Sequence, residues 1–80
     1  MILDKYLKVS RLIKRRTVAN QACDAGKVTV NDKTARASYE VKVGDIIEIT
    51  MGERRVRVEV LSVQEHATKD NASLLYRVLS

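Results

Sequence analysis

Six cations, Lys5, Lys8, Arg11, Lys14, Arg15 and Arg16, fall within twelve residues that contain no Asp or Glu. Ammonium and guanidinium groups at this density do one kind of chemistry: they take the place of the counterions around a polyanion such as RNA. Like charges at helical spacing repel by roughly a few tenths of a kcal/mol per close pair, so the cluster implies compensation by bound phosphate. The plainer reading is a solvated helix face.

The rest of the chain offers little else that reacts. His66 is the sole histidine, and Cys23 the sole cysteine, which leaves no ligand set for a metal, no triad and no disulfide. Cys23 reads as a small core residue, and Glu53, Glu59 and Glu65 are scattered among cations. No glycine-rich phosphate loop is present. A chain of 80 residues has little room for a cleft that buries a substrate, so a protein without enzymatic activity and without cofactor or metal is expected.

The net charge of +5 and pI near 9.7 favour a polyanionic partner. Residues 1–40 hold nine Lys or Arg against four Asp or Glu, and residues 41–80 hold six of each, so one end of the fold is electropositive. The length predicts a single domain over 1–80. No apolar run reaches the roughly 18 residues of a membrane span, and Met1–Leu12 lacks the apolar stretch of a signal peptide. A soluble, cytoplasmic, monomeric protein is expected.

These side chains need elements to position them. Leu3, Tyr6 and Leu7 share one side of a helix, with Lys5, Lys8 and Arg11 on another. Ser10 can interrupt that helix or cap a new one. A turn and a second helix from Lys14 or Arg15 to Ala25 follow, with Val18, Ala19, Ala22 and Cys23 as its apolar stripe and Gly26 closing it. The period then falls to two. Val28 and Val30 mark a strand, Asn31-Asp32 a tight reversal into 33–37, and 46–50 a second clear strand. Gly52 reverses the chain into 55–63, where Val56, Val58 and Val60 alternate with Arg55, Arg57 and Glu59. Residues 64–73 read as a loop and 74–79 as a last strand. Tyr39 and Tyr76 can stack on bases, but core or rim positions suit them better.

Four ordered pieces resemble the S4 RNA-binding domain: Leu3-Asp4-Lys5-Tyr6-Leu7, Arg16-Thr17-Val18-Ala19, Ala25-Gly26-Lys27-Val28-Thr29-Val30-Asn31 and Val43-Gly44-Asp45-Ile46-Ile47. The resemblance spans residues 2 to about 50. It implies an α+β, S4-like fold (the αL motif), with two N-terminal helices on a small, mostly antiparallel sheet of four or five strands; residues 51–80 would complete that sheet. Within the family, residues 7–16 look most like stand-alone members of the RqcP type, relatives of the small ribosome-associated heat-shock S4 proteins.

That resemblance implies an RNA-binding factor of ribosome-associated quality control. Such a factor binds an obstructed large ribosomal subunit carrying peptidyl-tRNA, touches rRNA and tRNA, and supports C-terminal tailing of the stalled chain by an RqcH-type partner. By position, Asp4 and Arg16 match the family's acidic and basic sites, and Lys5, Lys8, Arg11, Lys14 and Arg15 extend the surface. Asp4 would orient a cation or read a ribose hydroxyl; equally, it suits the first turn of a helix. Two departures stand out: Ile2 replaces the usual Arg, and Asp32 replaces the usual Gly after Asn31. Ribosome assembly, a structural role in the ribosome, or service as the S4 module of a larger RNA-modifying enzyme would use the same basic face.

Overall fold

The computed structural model describes residues 1–65 and 70–79, apart from the side chain of Ser73; His66 and the middle of the 64–73 segment lie outside the described residues. Helix α1 is Leu3–Val9 and α2 is Arg16–Asp24, followed by strands β1 (Val28–Val30), β2 (Lys33–Thr34), β3 (Ile46–Met51) and β4 (Arg54–Val60). A 3-10 turn, Ala72–Leu75, leads into β5 (Tyr76–Val78). The five strands form one sheet in the order β2-β1-β3-β4-β5, every neighbouring pair antiparallel.

The apolar periods predicted from the residues define the core. Leu3, Tyr6 and Leu7 are fully buried on one side of α1, and Val28, Ile47, Val58 and Val60 receive them from the sheet. Fully burying side chains of this size contributes about 1.5–3 kcal/mol each, offset largely by the entropy of ordering the chain. On α2 the stripe is narrower than expected: Ala19 and Cys23 are buried, whereas Val18 is 48% exposed. Its neighbour on the helix, Ala22, only partly reaches the core.

Turn chemistry sets the register. Asn31 and Asp32 both adopt positive φ, 53° and 67°, so the β1–β2 reversal forms with Asp32 where the family usually has Gly. Asp45, buried beneath the next turn, ties this hairpin to the chain that follows. Its carboxylate accepts hydrogen bonds from Asn31 Nδ2 (3.1 Å), Tyr39 Oη (2.8 Å) and the Lys42 amide (2.9 Å). Asn31 Oδ1 in turn accepts from the Ile46 amide at 3.0 Å. Tyr39 is therefore occupied as a donor to Asp45, a bond that raises its hydroxyl's pKa above the ordinary value, with burial adding to the shift.

Three boundaries differ from the expectation, the first being that the alternation read over 55–63 forms a strand only over Arg54–Val60. The segment 33–37 is a strand only through Thr34, because Ala35 and Ala37 turn into the core. Leu74 and Leu75 form part of the 3-10 turn rather than the last strand. There the Leu75 side chain is buried, and its carbonyl accepts from Tyr6 Oη (2.7 Å) and from the Leu61 and Ser62 amides (2.9 and 3.2 Å). A straight strand through Leu75 would give up that three-donor junction.

Burial, and then the Asp4 and Asp24 carboxylates, push the Cys23 thiol up to about 11 from an ordinary value of 9.0. The folded state therefore holds this proton more tightly than the unfolded state. Its contribution to stability is complete below about pH 9 and is lost as pH rises toward 11. Urea midpoints should fall across that window, and by less in Cys23→Ala; the Tyr6 and Tyr39 hydroxyls, also raised in the fold, contribute to the remainder. Equal losses in the two proteins would place the thiol in solvent.

Candidate nucleic-acid interface

The cations sit where α1 ends and α2 begins, and two buried residues fix that corner. Ser10 caps the end of α1, 1% exposed, its hydroxyl donating to the Leu7 carbonyl at 3.2 Å. It ends the first helix and does not start the second. Ile13 is buried, and its amide donates to the Leu7 carbonyl at 3.0 Å. With those two residues held inside, Arg11, Lys14 and Arg15 face outward and are exposed, as is Lys8 in the last turn of α1. A cation is favourable at the latter position, near the negative end of the helix dipole.

Arg11 carries a further cost. Its φ is +64°, in the left-handed region that a residue with a Cβ enters at roughly 1–2 kcal/mol. Glycine would relieve that strain, yet the position holds a cation.

Arg16 is the first residue of α2, with Arg15 as the N-terminal flanking residue and no side chain capping the helix. This helix end lacks an acid in its first turn, so its free N–H groups and two guanidiniums concentrate positive charge. The compensation comes from α1. Asp4, 5% exposed, places Oδ1 3.3 Å from Arg16 Nε and accepts from Asn20 Nδ2 at Oδ2, 3.2 Å. Asn20 lies one helical turn beyond Arg16, which puts both on the same face of α2. The i, i+4 spacing of Arg16 and Asn20 was available in the sequence, but an exposed amide carries no signal of its own until Asp4 is seen beneath it.

Asp4 Oδ1 accepts no hydrogen bond although it is buried, so the Arg16 contact is ionic but poorly aligned. Arg16 remains half exposed. Replacing it would leave the buried carboxylate uncompensated, and its loss is therefore a loss of stability.

Lys5 is the outlying member of the group. It is a third exposed and lies 3.6 Å from Glu65, an exposed pair worth little in water. Among the described residues, Lys8, Arg11, Lys14 and Arg15 have no carboxylate within ion-pair distance. On the far side of the molecule the charges are mixed: Arg57 faces Asp32 at 3.9 Å, and Arg77 pairs with Glu59 across β4 and β5. Ile2 stands before α1 in an isolated bridge with Glu40 and adds no cation to the corner.

The model of the S4 domain matches residues 2–47. The chain belongs to the S4 domain family. Among its relatives, the protein of Halalkalibacterium halodurans named RQC P-site tRNA stabilizing factor is 51% identical over 98% of this chain and 89% of its own length. A protein of the same name from Streptococcus pneumoniae is 45% identical over 100% of this chain and 91% of its own. Among solved structures, Heat Shock Protein 15 of Vibrio cholerae, described as trimeric, superposes with a TM-score of 0.92 at 27% identity, covering 100% of this chain and 82% of that one. The S4 match stops near the end of Ile47, and strands β4 and β5 extend the same sheet beyond it.

Arg11 is the residue of this corner at which backbone strain and side-chain charge can be tested apart. Arg11→Gly should raise stability by about 0.5–1 kcal/mol, the relief of the left-handed strain less the cost of the chain freedom glycine adds, while RNA affinity drops several-fold. Thermal melting and filter binding on the same preparation check both directions. A variant that melts lower would refute the strain at Arg11, and one that binds as the parent does would remove its side chain from the interface.

Proposed function

We propose that this S4 protein is an RNA-binding factor of ribosome-associated quality control. It holds peptidyl-tRNA against rRNA on an obstructed large ribosomal subunit while an RqcH-type partner extends the stalled chain with C-terminal residues. The observation that carries this reading is the α1–α2 corner, where Lys8, Arg11, Lys14 and Arg15 are exposed and unpaired among the described residues beside Arg16. The P-site tRNA of the relatives' name is a ligand of the right chemistry for such a corner. Phosphates on two RNA segments can be shared by cations that point away from one turn in different directions, which is how a small protein bridges two RNAs.

In this reading Lys8, Arg11, Lys14, Arg15 and Arg16 contact phosphate, Lys5 exchanges Glu65 for RNA, and Asp4 orients Arg16. The protein acts as a monomer in the cytoplasm and catalyses no step itself. Its contribution is to lower the rate at which tRNA leaves the subunit, with tailing performed by the partner. Among the described residues no helix is long and apolar enough to cross a membrane.

With about four phosphates engaged, log affinity for tRNA should fall with log salt at a slope of roughly −3 to −4. In gradients the protein should travel with large subunits that carry peptidyl-tRNA and increase there when translation stalls. Travel with immature subunits would favour an assembly role instead. A salt-independent affinity would remove the phosphate-contact reading altogether.

A further inference from the structure

Asp4 does more than balance Arg16. It lies with Asn20 in the wall shared by two adjoining hollows. One, about 390 Å³, is bordered by Arg16 at the start of α2. The other, about 750 Å³, runs between α2 and the segment 34–38 and carries Arg36, Ser38 and Asp24. The geometry points to a subsite here for one unstacked ribonucleotide, whose hydroxyl or amino donor bonds Asp4 Oδ1 while its flanking phosphates rest on Arg16 and Arg36. This deepens the RNA-binding reading above and rests on it.

Three features of the wall select that ligand. First, Asp4 Oδ1 is a buried acceptor without a hydrogen bond, an unfavourable condition that a ligand donor would relieve. Asn20 holds the other oxygen, Oδ2, and so fixes the carboxylate's orientation. Second, Asp4 and Asp24 together make the interior of the larger hollow repulsive to phosphate, so an uncharged, donor-bearing group belongs there. The 2′-hydroxyl of ribose and the exocyclic amines of bases are the donors RNA offers once a nucleotide leaves its stack.

Third, the cations stand at the rims. Arg16 covers Oδ1 through a contact that lacks hydrogen-bond alignment, and its side chain is half exposed, so it can turn outward to a phosphate and uncover the acceptor. Arg36 is exposed on the opposite hollow and has no ion-pair partner among the described residues. It lies outside the basic run of residues 5–16, and only the fold brings it to the same site. A continuous duplex keeps its base edges paired and cannot fill the hollow. Bulged or looped RNA can.

The test uses the full chain and a synthetic stem-loop taken from the segment of a tRNA transcript that binds it most tightly. Two scans replace, one nucleotide at a time, the 2′-hydroxyl with hydrogen and the exocyclic amine with hydrogen. At one unpaired nucleotide, one of the scans should cost the parent protein about tenfold in affinity, the measure of one lost buried hydrogen bond to a charged acceptor. The same change should cost Asp4→Ala, checked as folded by its melting curve, less than about twofold. The responding scan tells ribose from base.

Arg36→Gln, an exposed change that leaves the core untouched, should weaken stem-loop binding several-fold, make the salt slope shallower by about one, and leave binding to a fully paired duplex unchanged. Scans that respond alike in parent and Asp4→Ala, or an Arg36→Gln protein that binds the stem-loop as the parent does, would overturn the subsite with the wider RNA-binding reading intact. A parent protein that binds no tRNA segment would overturn both.

Discussion

Between Lys8 and Arg16 the chain holds five cations around one corner, with Asp4 the sole carboxylate within ion-pair distance of them among the described residues. Repulsion on that scale would favour an open, extended segment. What prevents it is the burial of Ser10 and Ile13, which fastens the turn to Leu7 and leaves the charged side chains no direction but outward. Everything downstream follows from that anchoring: the left-handed backbone at Arg11, the uncapped start of α2, and the placement of Arg16 over Asp4. An uncapped helix start crowded by cations is a poor arrangement for an isolated protein and a good one for a protein whose ligand is an anion.

Both helices and the sheet were legible where a period of 3.6 or 2 coincided with burial on one side. Leu3, Tyr6 and Leu7 declared α1, and Val56, Val58 and Val60 declared β4, because their neighbours in sequence are polar and their neighbours in space are not. The exposure of Val18 was not legible: α2 rests on the rest of the fold through small side chains, and a narrow stripe does not say which flank is covered. Nor was the turn that replaces the start of the last strand, since it exists to bring the Leu75 carbonyl to Tyr6 Oη across the whole chain.

The cation cluster could be read directly from residue types, but its geometry could not. Lys5 looked equivalent to Lys8 in the run of charges, and Glu65, sixty residues away, distinguishes them. Asp4 offered two readings in sequence, a helix-start acid and a partner for a cation. It occupies the first turn of α1 and contacts Arg16 from there, so one side chain meets both descriptions. Asn20 and Arg36 lacked any local signal and acquire meaning only from the wall that Asp4 shares with them.

The central claim is that the α1–α2 corner, rather than the mixed-charge face of the sheet, receives RNA. Amide chemical shifts of isotope-labelled protein titrated with tRNA test this most directly, because every backbone position outside proline reports and this chain has no proline. Shifts should concentrate at residues 4–20 and leave Glu48, Arg57 and Arg77 unmoved. Shifts centred on β3, β4 and β5, with the corner silent, would contradict the account.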